Sequence, residues 1–266
     1  MNPCHALIVA VLLAAVASPA QNWAKARLDK SPRHLEWVKI KHDGREVNCF
    51  VAYPEVKDKA TTVILIHEIF GLTDWVRGVA DQLAEAGYIA IAPDLLSGAA
   101  PDGGGTAELG GDDAVRRVIS SLPPDQITGD LNAVADYAAK LPAANGKCVV
   151  AGFCWGGAQS FRFATNNREL KAAFVFYGIG PDDEQALARL NCPVFGFYAG
   201  NDARVTASVP KSEQLMKKAG KTYKPVTYDG AGHGFMRAGE APEASAANKK
   251  ARDEAWKRWL DALKGL

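Results

Sequence analysis

The residues that point most directly to chemistry lie around Cys154, in the segment KCVVAGFCWGGAQSFRFA at residues 147–164. A short apolar run enters a turn in which Gly152 and Gly156 bracket the cysteine two positions to either side, and a helical pattern follows. This spacing matches the GxSxG nucleophile elbow with sulfur in place of oxygen. Glycine is needed there because a side chain so close to the reversal would clash with the backbone. The alternative is a buried structural cysteine beside a glycine-rich turn, and residues elsewhere in the chain are needed to distinguish the two interpretations.

Two residues that could act as partners of a nucleophile follow Cys154 in the chain. Asp202 comes after the apolar segment CPVFGFYAG, and His233 lies in AGHGF, after the segment KPVTY. Cys, Asp, His is the chain order of the catalytic triad on α/β-hydrolase sheets, and each residue here ends a predicted strand. His233 would take the thiol proton and later protonate the leaving alkoxide, while Asp202 would hold the imidazole in the required tautomer. Taken singly, they also fit an aspartate that caps the turn at GNDARV and a surface histidine between glycines.

A third segment, HEIFG at residues 67–71, follows the apolar run TTVILI. Folds with this strand order place the second oxyanion donor here, so the backbone N–H groups of Ile69 and Trp155 could bind the oxyanion of an acyl-transfer intermediate. The helix after the cysteine directs the positive end of its dipole at the sulfur, which favours the thiolate. Glu68 could accept the thiol hydrogen at rest and move away when substrate arrives, or it could cap the next helix at Asp74. HEIFG is not HExxH, so no zinc-protease site is predicted.

The elements that must position these residues alternate between strand and helix patterns. Residues 35–41 and 46–53 alternate apolar and polar side chains around HisAspGly at 42–44, which predicts an N-terminal antiparallel hairpin. Continuous apolar runs typical of strands buried on both faces follow, namely TTVILI, YIAIAP, CVVAGF, AAFVFYG and CPVFGFYAG. Helical patterns lie at residues 74–86, 113–121, 125–141, 157–166, 183–191, 208–220 and 245–264. The alternation predicts an α/β fold with a mainly parallel central sheet flanked by helices on both faces.

Two segments resemble binding features and are interpreted otherwise. The last helical pattern carries one apolar stripe, which predicts packing and not a cofactor site; the stripe consists of Trp256, Trp259, Leu260 and Leu263. The Gly-rich segment 97–113 lacks the strand and GxxxxGK[ST] arrangement of a phosphate-binding loop. It is interpreted as a lid or pocket rim, with a plain surface loop as the alternative. No metal or organic cofactor is expected.

The N-terminus differs in kind from the rest of the chain. Residues 6–17 are an unbroken apolar run, followed by SerProAla and a polar segment, which predicts a signal peptide over residues 1–20 and an exported protein, periplasmic or secreted. The run is too short to span a bilayer as a mature helix, so no stable membrane association is expected after cleavage. Because MNPCH contains no Lys or Arg, a buried N-terminal helix or a mis-assigned start is the alternative. No CxxC spacing suggests a disulfide framework or a zinc site among the remaining cysteines, Cys49, Cys148, Cys154 and Cys192.

Size and charge point to one domain that acts on a small molecule. The chain has 266 residues, enough for one extensive core. Its net charge is +1, and Lys and Arg alternate with Asp and Glu, so neither nucleic acid nor an anionic membrane surface is an expected partner. A monomer is the default expectation.

The motifs HEIFG, GFCWGG, GNDARV and AGHGF stand in the order found in the dienelactone hydrolase family, which the chain resembles over residues 33–266. The resemblance implies an α/β-hydrolase domain with Cys154 as nucleophile. Asp202 and His233 would be its partners, and Glu68 would hold the thiol neutral until substrate displaces it. The resemblance also implies two arginines that bind a substrate carboxylate. One is Arg237, four residues after the histidine, and the other follows the long loop, where the candidates are Arg116 and Arg117.

These observations favour a hydrolase that cleaves a small ester or lactone of the dienelactone or carboxymethylenebutenolide type. The reaction would use a Cys-His-Asp triad and a thioester intermediate. A general carboxylesterase on the same sheet is the alternative enzyme. A sensor protein that uses Cys154 for redox signalling is an alternative of another class, but it would not need Asp202 and His233.

Overall fold

The computed structural model describes residues 22–266, in which eight strands form one sheet. The strands are β1 Leu35–His42, β2 Arg45–Ala52, β3 Ala60–Ile66, β4 Ile89–Pro93, β5 Ala144–Phe153, β6 Ala173–Phe176, β7 Val194–Ala199 and β8 Tyr223–Tyr228. Their order across the sheet is β1-β2-β4-β3-β5-β6-β7-β8. Strands β3 to β8 are parallel, whereas β1 pairs antiparallel with β2, and β2 antiparallel with β4. The predicted mainly parallel sheet with an N-terminal antiparallel hairpin is confirmed.

The hairpin of β1 and β2 closes through a two-residue turn at Asp43 and Gly44. The register places His42 opposite Arg45. Both turn residues have positive φ, 44° and 74°. An Asp-Gly pair favours this turn, whose backbone follows the right-handed twist of the strands.

Helices cover the sheet on both sides. They are α1 Asn22–Leu28, α2 Asp74–Glu85, α3 Asp112–Ser121, α4 Pro124–Lys140, α5 Trp155–Ala164, α6 Glu184–Ala188, α7 Ala203–Thr206, α8 Val209–Lys218, α9 Phe235–Ala238 and α10 Ala246–Lys264. Helices α1, α7 and α9 were not predicted. Helices α7 and α9 have 4 residues each, too few to show a helical period in the sequence, and α1 has 7, slightly less than two turns.

Apolar side chains fill both faces of the sheet, which is why strands such as β3 do not alternate. Helices α1, α2, α9 and α10 contribute to the core on one face, and α4, α5, α6 and α8 to the core on the other. Trp259 of α10 is fully buried, with its ring centroid 4.9 Å from that of Phe176. Leu263 is also buried, and Trp256 and Leu260 pack at the margin of this core. The predicted packing role of the α10 stripe is therefore confirmed.

The carboxyl ends of the parallel strands place the candidate residues at one edge of the sheet. Strand β3 is followed directly by His67 and Glu68, and β5 is followed by Cys154. Asp202 lies in the loop after β7, and His233 in the loop after β8. The sheet therefore gathers residues that are distant in the sequence.

No helix within residues 22–266 is long and apolar enough to cross a membrane. The signal peptide predicted for residues 1–20 lies outside the described residues. The four cysteines of the described chain, Cys49, Cys148, Cys154 and Cys192, are free thiols.

Candidate active site

Cys154 occupies the sharp turn between β5 and α5. Its backbone has φ 57° and ψ −116°, a combination that residues with a side chain adopt only under strain. A Cβ at Gly152 would clash with the Gly156 carbonyl. A Cβ at Gly156 would clash with the carbonyls of Ile66 and His67. The two glycines therefore let α5 begin directly against the end of β3, with the cysteine at the turn.

Two backbone N–H groups donate hydrogen bonds to the sulfur of Cys154. One belongs to Trp155, at the start of α5, and the other to Ile69, in the loop after β3. Burial, and then the negative charge of Glu68, raise the pKa of the thiol more than these hydrogen bonds lower it. The thiol is therefore neutral at rest, in contrast to the thiolate expected from the dipole of α5. An oxyanion formed beside the sulfur would meet the same two donors.

Asp202 and His233 are joined by a hydrogen bond of 2.5 Å between Oδ2 and Nδ1. Because a carboxylate accepts, Nδ1 carries the hydrogen and Nε2 is left to act as a base. The other carboxylate oxygen accepts from the N–H of Val205 at 3.4 Å and caps α7. Asp202 thus combines the two roles considered for it, cap and partner of the histidine.

Within residues 22–266, no hydrogen bond joins the side chains of Cys154 and His233. His233 is hydrogen-bonded to Asp202, and the Cys154 sulfur accepts from backbone N–H groups. Such a contact often forms only when substrate is bound. The His233 side chain is 33% exposed, so substrate and solvent can reach it.

Tyr177 is a site residue that the sequence analysis missed. It follows β6 with φ 40°, and its ring is buried. The ring centroid lies 5.1 Å from that of His233, edge to face. Burial, ahead of the negative charge of Glu68, raises the pKa of the phenol, which therefore stays protonated. Its only signal in the sequence was its position near the end of the apolar run AAFVFYG.

Glu68 is buried beside the thiol and pairs with Arg237 of α9. Its Oε2 accepts a hydrogen bond of 2.8 Å from the Arg237 Nε. Burial raises the pKa of Glu68, and Arg237 opposes this through its charge and hydrogen bond. The carboxylate does not cap the next helix, since α2 begins after Thr73 without a side-chain cap.

Phe70 brings two of the three predicted arginines together. The guanidinium carbons of Arg116 and Arg237 lie 5.1 and 5.2 Å from its ring centroid, within the range of cation–π contacts. Both arginines line one cavity of about 940 Å³, which also reaches Trp37 of β1. Arg117, the next residue of α3, is exposed and does not line that cavity. The geometry therefore favours Arg116 as the second arginine.

The Gly-rich segment 97–113 is fastened to the loop after β3. Thr106 donates from Oγ1 to Asp94 at 2.7 Å and accepts on the same atom from the Leu72 N–H at 3.0 Å. The Thr106 N–H also donates to Asp94, at 2.7 Å. A Cβ at Gly71 would clash with the Thr106 side chain. The segment forms a fixed rim of the cavity.

Metal-binding geometry is not found in the part of the chain that the structure describes. No group of three or more His, Cys, Asp or Glu side chains there is placed to hold a metal ion.

Known protein sequences are similar to this chain over most of its length. The model of the dienelactone hydrolase family matches residues 47–266. A Salmonella typhi protein named "Putative carboxymethylenebutenolidase" is 32% identical over 235 residues, which cover 84% of each chain. A protein of the same name from Saccharolobus solfataricus is 29% identical over 249 residues, covering 81% of this chain and 93% of that one.

Solved structures agree with these relatives. A crystal structure described as a "Putative Dienelactone Hydrolase" from Klebsiella pneumoniae superposes with a TM-score of 0.76 at 26% identity, covering 88% of this chain and 99% of that one. A dienelactone hydrolase from Anabaena variabilis has a TM-score of 0.62 at 18% identity, covering 83% and 96%, and supports the fold alone. The family match spans the loop after β3, the cysteine turn, Asp202 and His233. The chain therefore belongs to the dienelactone hydrolase family.

Proposed function

We propose that this chain hydrolyses a small ester or lactone of the dienelactone or carboxymethylenebutenolide type through a Cys154–His233–Asp202 triad. The observation that carries the proposal is the position of Cys154. The cysteine lies between two backbone N–H donors, at the same sheet edge as the hydrogen-bonded Asp202–His233 pair. Membership of the dienelactone hydrolase family supports a hydrolase of esters or lactones.

In the first half-reaction, His233 Nε2 takes the proton of the Cys154 thiol as the sulfur attacks the substrate carbonyl carbon. The carbonyl oxygen becomes an oxyanion and accepts hydrogen bonds from Ile69 and Trp155. The bond to the alcohol oxygen then breaks, and the proton on His233 passes to the leaving alkoxide. The acyl group remains as a thioester, and in a lactone the alcohol stays tethered to it.

In the second half-reaction, water attacks the thioester while His233 accepts its proton. The new oxyanion uses the same two donors, the carbon–sulfur bond breaks, and the proton on His233 returns to sulfur. Asp202 keeps the hydrogen on Nδ1 and stabilises the imidazolium in both halves. None of these steps calls for a metal or an organic cofactor.

Glu68 supports a neutral thiol at rest, because its negative charge adds to the effect of burial on the pKa of Cys154. Arg237 holds Glu68 in this position. A substrate carboxylate that binds Arg237 would compete with Glu68 for the guanidinium. Substrate binding would thereby displace Glu68 and release the thiol for attack.

The same pKa argues against the redox-sensor alternative, which requires an exposed thiol of low pKa. The size of the cavity instead favours a general carboxylesterase as the second candidate function. The cavity of about 940 Å³ exceeds what a small lactone needs. Neither Cys154 nor His233 lines it, and Arg237, which pairs with Glu68, connects its wall to the reactive residues.

Steady-state rates on lactones and aryl esters, each with and without a carboxylate, test the proposal. Cys154→Ala should abolish cleavage of all of them. Arg116→Ala should lower kcat/KM about tenfold on the anionic substrates, since a charge-assisted hydrogen bond contributes about 1.5–3 kcal/mol, and it should spare the neutral ones. Arg117→Ala is the matched control and should change neither. Equal losses on charged and neutral substrates would contradict the carboxylate site and favour the general carboxylesterase.

We also propose that residues 1–20 are a signal peptide and that the mature protein is exported, to the periplasm or beyond, and acts as a monomer. The apolar run at residues 6–17 supports export. N-terminal sequencing of the mature protein tests the cleavage site near Ala20. A chain that keeps Met1 after expression in its own cell would contradict export.

A further inference from the structure

His67 is the part of the HEIFG segment that the mechanism above does not use. Its side chain is completely buried, and its ring Nδ1 lies 2.8 Å from the carbonyl oxygen of Glu68. Because a carbonyl oxygen accepts, Nδ1 carries the hydrogen. Burial lowers the pKa of the imidazole against the opposing charge of Asp94, so the ring is neutral and Nε2 carries no hydrogen. That atom has no hydrogen-bond partner in the described structure.

The hydrogen bond from His67 fixes a whole peptide group. The carbonyl of Glu68 and the N–H of Ile69 belong to the same planar unit and point in opposite directions. This N–H is one of the two donors to the Cys154 sulfur. The N–H of Gly71 also donates to the Glu68 carbonyl, at 3.2 Å. Donors on the carbonyl side therefore hold the N–H on the sulfur side, and they polarise the amide so that it donates more strongly.

His67 also touches the residue that supplies the second donor. Its ring stacks on the indole of Trp155, with centroids 5.5 Å apart and planes at 18°. Its backbone carbonyl lies so close to Gly156 that a Cβ there would clash. The buried His67 side chain therefore contacts the peptide group that carries the Ile69 N–H and the indole of the residue that carries the other donor.

We infer that His67 is a positioning residue for the oxyanion hole, in which its Nδ1–H aims the Ile69 N–H at the reacting carbonyl oxygen. The inference rests on the proposed function, since it presupposes a carbonyl attacked by Cys154. A positioning role for His67 would change the rate of those steps in which an oxyanion forms. A histidine that served packing alone would affect stability and all reactions of Cys154 alike.

Two variants separate these roles. His67→Leu removes the donor at similar volume, and His67→Asn places an amide nitrogen near the position of Nδ1. For each, we would measure the cleavage of an aryl ester and the alkylation of Cys154 by iodoacetamide, the latter by peptide mass. Alkylation displaces iodide at a saturated carbon and forms no oxyanion, whereas ester cleavage forms one.

We expect His67→Leu to lower kcat about tenfold, less than the roughly 10²–10³ for outright loss of an oxyanion donor. KM should stay within about twofold, because it does not depend on the oxyanion. The alkylation rate should do the same when it is measured at a pH high enough that it no longer rises with pH, since the Ile69 hydrogen bond then no longer affects the thiolate fraction. His67→Asn should recover most of the lost kcat. His42→Leu is the matched control, since it removes another largely buried histidine, hydrogen-bonded to Asp130 at 2.7 Å, and should change neither rate.

Thermal unfolding shows whether the variants are folded, and His67→Met carries the same test if His67→Leu is not. An unchanged kcat in the folded variant would overturn the inference. A loss of kcat matched by an equal loss of the alkylation rate at that high pH would also overturn it. A wild-type protein that is alkylated at Cys154 but cleaves no ester would contradict the proposed function, and this inference with it.

Discussion

The thiol of Cys154 is subject to opposing influences that the cysteine turn brings together. Burial and the charge of Glu68 raise its pKa, while the N–H groups of Trp155 and Ile69 lower it. The upward direction prevails, so a resting thiol must lose its proton to a base during attack. His233, oriented by Asp202, is the residue placed to accept it.

Glu68→Gln should lower the pKa of Cys154. The substitution removes a negative charge, the second cause of the upward shift, but it leaves burial, so part of the shift persists. At a pH below this pKa the thiolate fraction rises as the pKa falls. Alkylation by iodoacetamide should therefore become faster at neutral pH, and its pH profile should move to lower pH.

Glu240→Gln is the matched control for this experiment. Glu240 is also buried, with a side chain that is 5% exposed, and it pairs with Arg252 at 2.8 Å. Its charge is not among those that shift the pKa of Cys154. If Glu68→Gln left the profile where the wild type has it, the charge of Glu68 would not be what holds the thiol neutral.

His233→Ala should cost more activity than Asp202→Asn, because it removes the general base, which contributes about 10²–10⁴ in rate, whereas the aspartate orients it. The double variant should be no slower than His233→Ala alone, since the aspartate acts through the histidine. The measurement is kcat/KM on one ester for the three variants. Losses that multiply in the double variant would mean that the two residues act independently.

The motifs around Cys154, Asp202 and His233 predicted that these three residues lie together, and the fold places them at one edge of the sheet. The roles of Phe70 and Tyr177 could not be predicted in the same way. Phe70 matters because α3 and α9 bring two arginines to its ring. Tyr177 matters because β6 lies between the strands that carry the cysteine and the aspartate. Both depend on contacts between distant segments, which no local spacing encodes.

Helix α5 can start where it does only because Gly156 has no side chain toward the end of β3. Gly156→Ala should distort the cysteine turn, since the new methyl would overlap the carbonyls of Ile66 and His67. We expect a loss of about 1–3 kcal/mol in the free energy of unfolding, measured in urea, together with reduced turnover.

Gly78→Ala in α2 is the matched control for Gly156→Ala, since it also places a methyl group at a glycine within a helix. A Cβ at Gly78 meets nothing within 4 Å, so alanine should stabilise the protein by about 0.4–1 kcal/mol. Activity should be unaffected. If both variants behaved alike, contact with β3 would not be the reason for glycine at position 156.

The main strands and seven helices followed from hydrophobic periodicity, since most of them bury a face long enough to repeat. Helix α6 is shorter, Glu184–Ala188, than the predicted 183–191. Other features did not follow from it. Strand β5 begins at Ala144, before the apolar run CVVAGF, because Ala144 pairs with Ala60 of β3. Helix α9, which carries Arg237, has only four residues and forms part of the loop after β8. Pairing partners and short helices are set by tertiary contacts that periodicity does not report.

The molecule as a whole assembles the site from loops that follow five strands. The order β3-β5-β6-β7-β8 places Glu68, Cys154, Tyr177, Asp202 and His233 successively along the carboxyl edge. Both faces of this sheet are packed, so the strand ends form a rigid base. The rim at residues 97–113 is hydrogen-bonded to the β3 loop and borders the cavity that Arg116 and Arg237 line, which lies beside the reactive residues and is lined by neither Cys154 nor His233.

The central claim, that Cys154 forms a thioester, is tested most directly by mass spectrometry of enzyme quenched with acid during turnover of an ester. We expect the intact mass to rise by that of one acyl group. Peptide mapping should locate this group on Cys154, and neutral hydroxylamine should remove it. Cys154→Ala should show neither adduct nor turnover. An acyl group on another residue, or turnover retained by Cys154→Ala, would contradict the account.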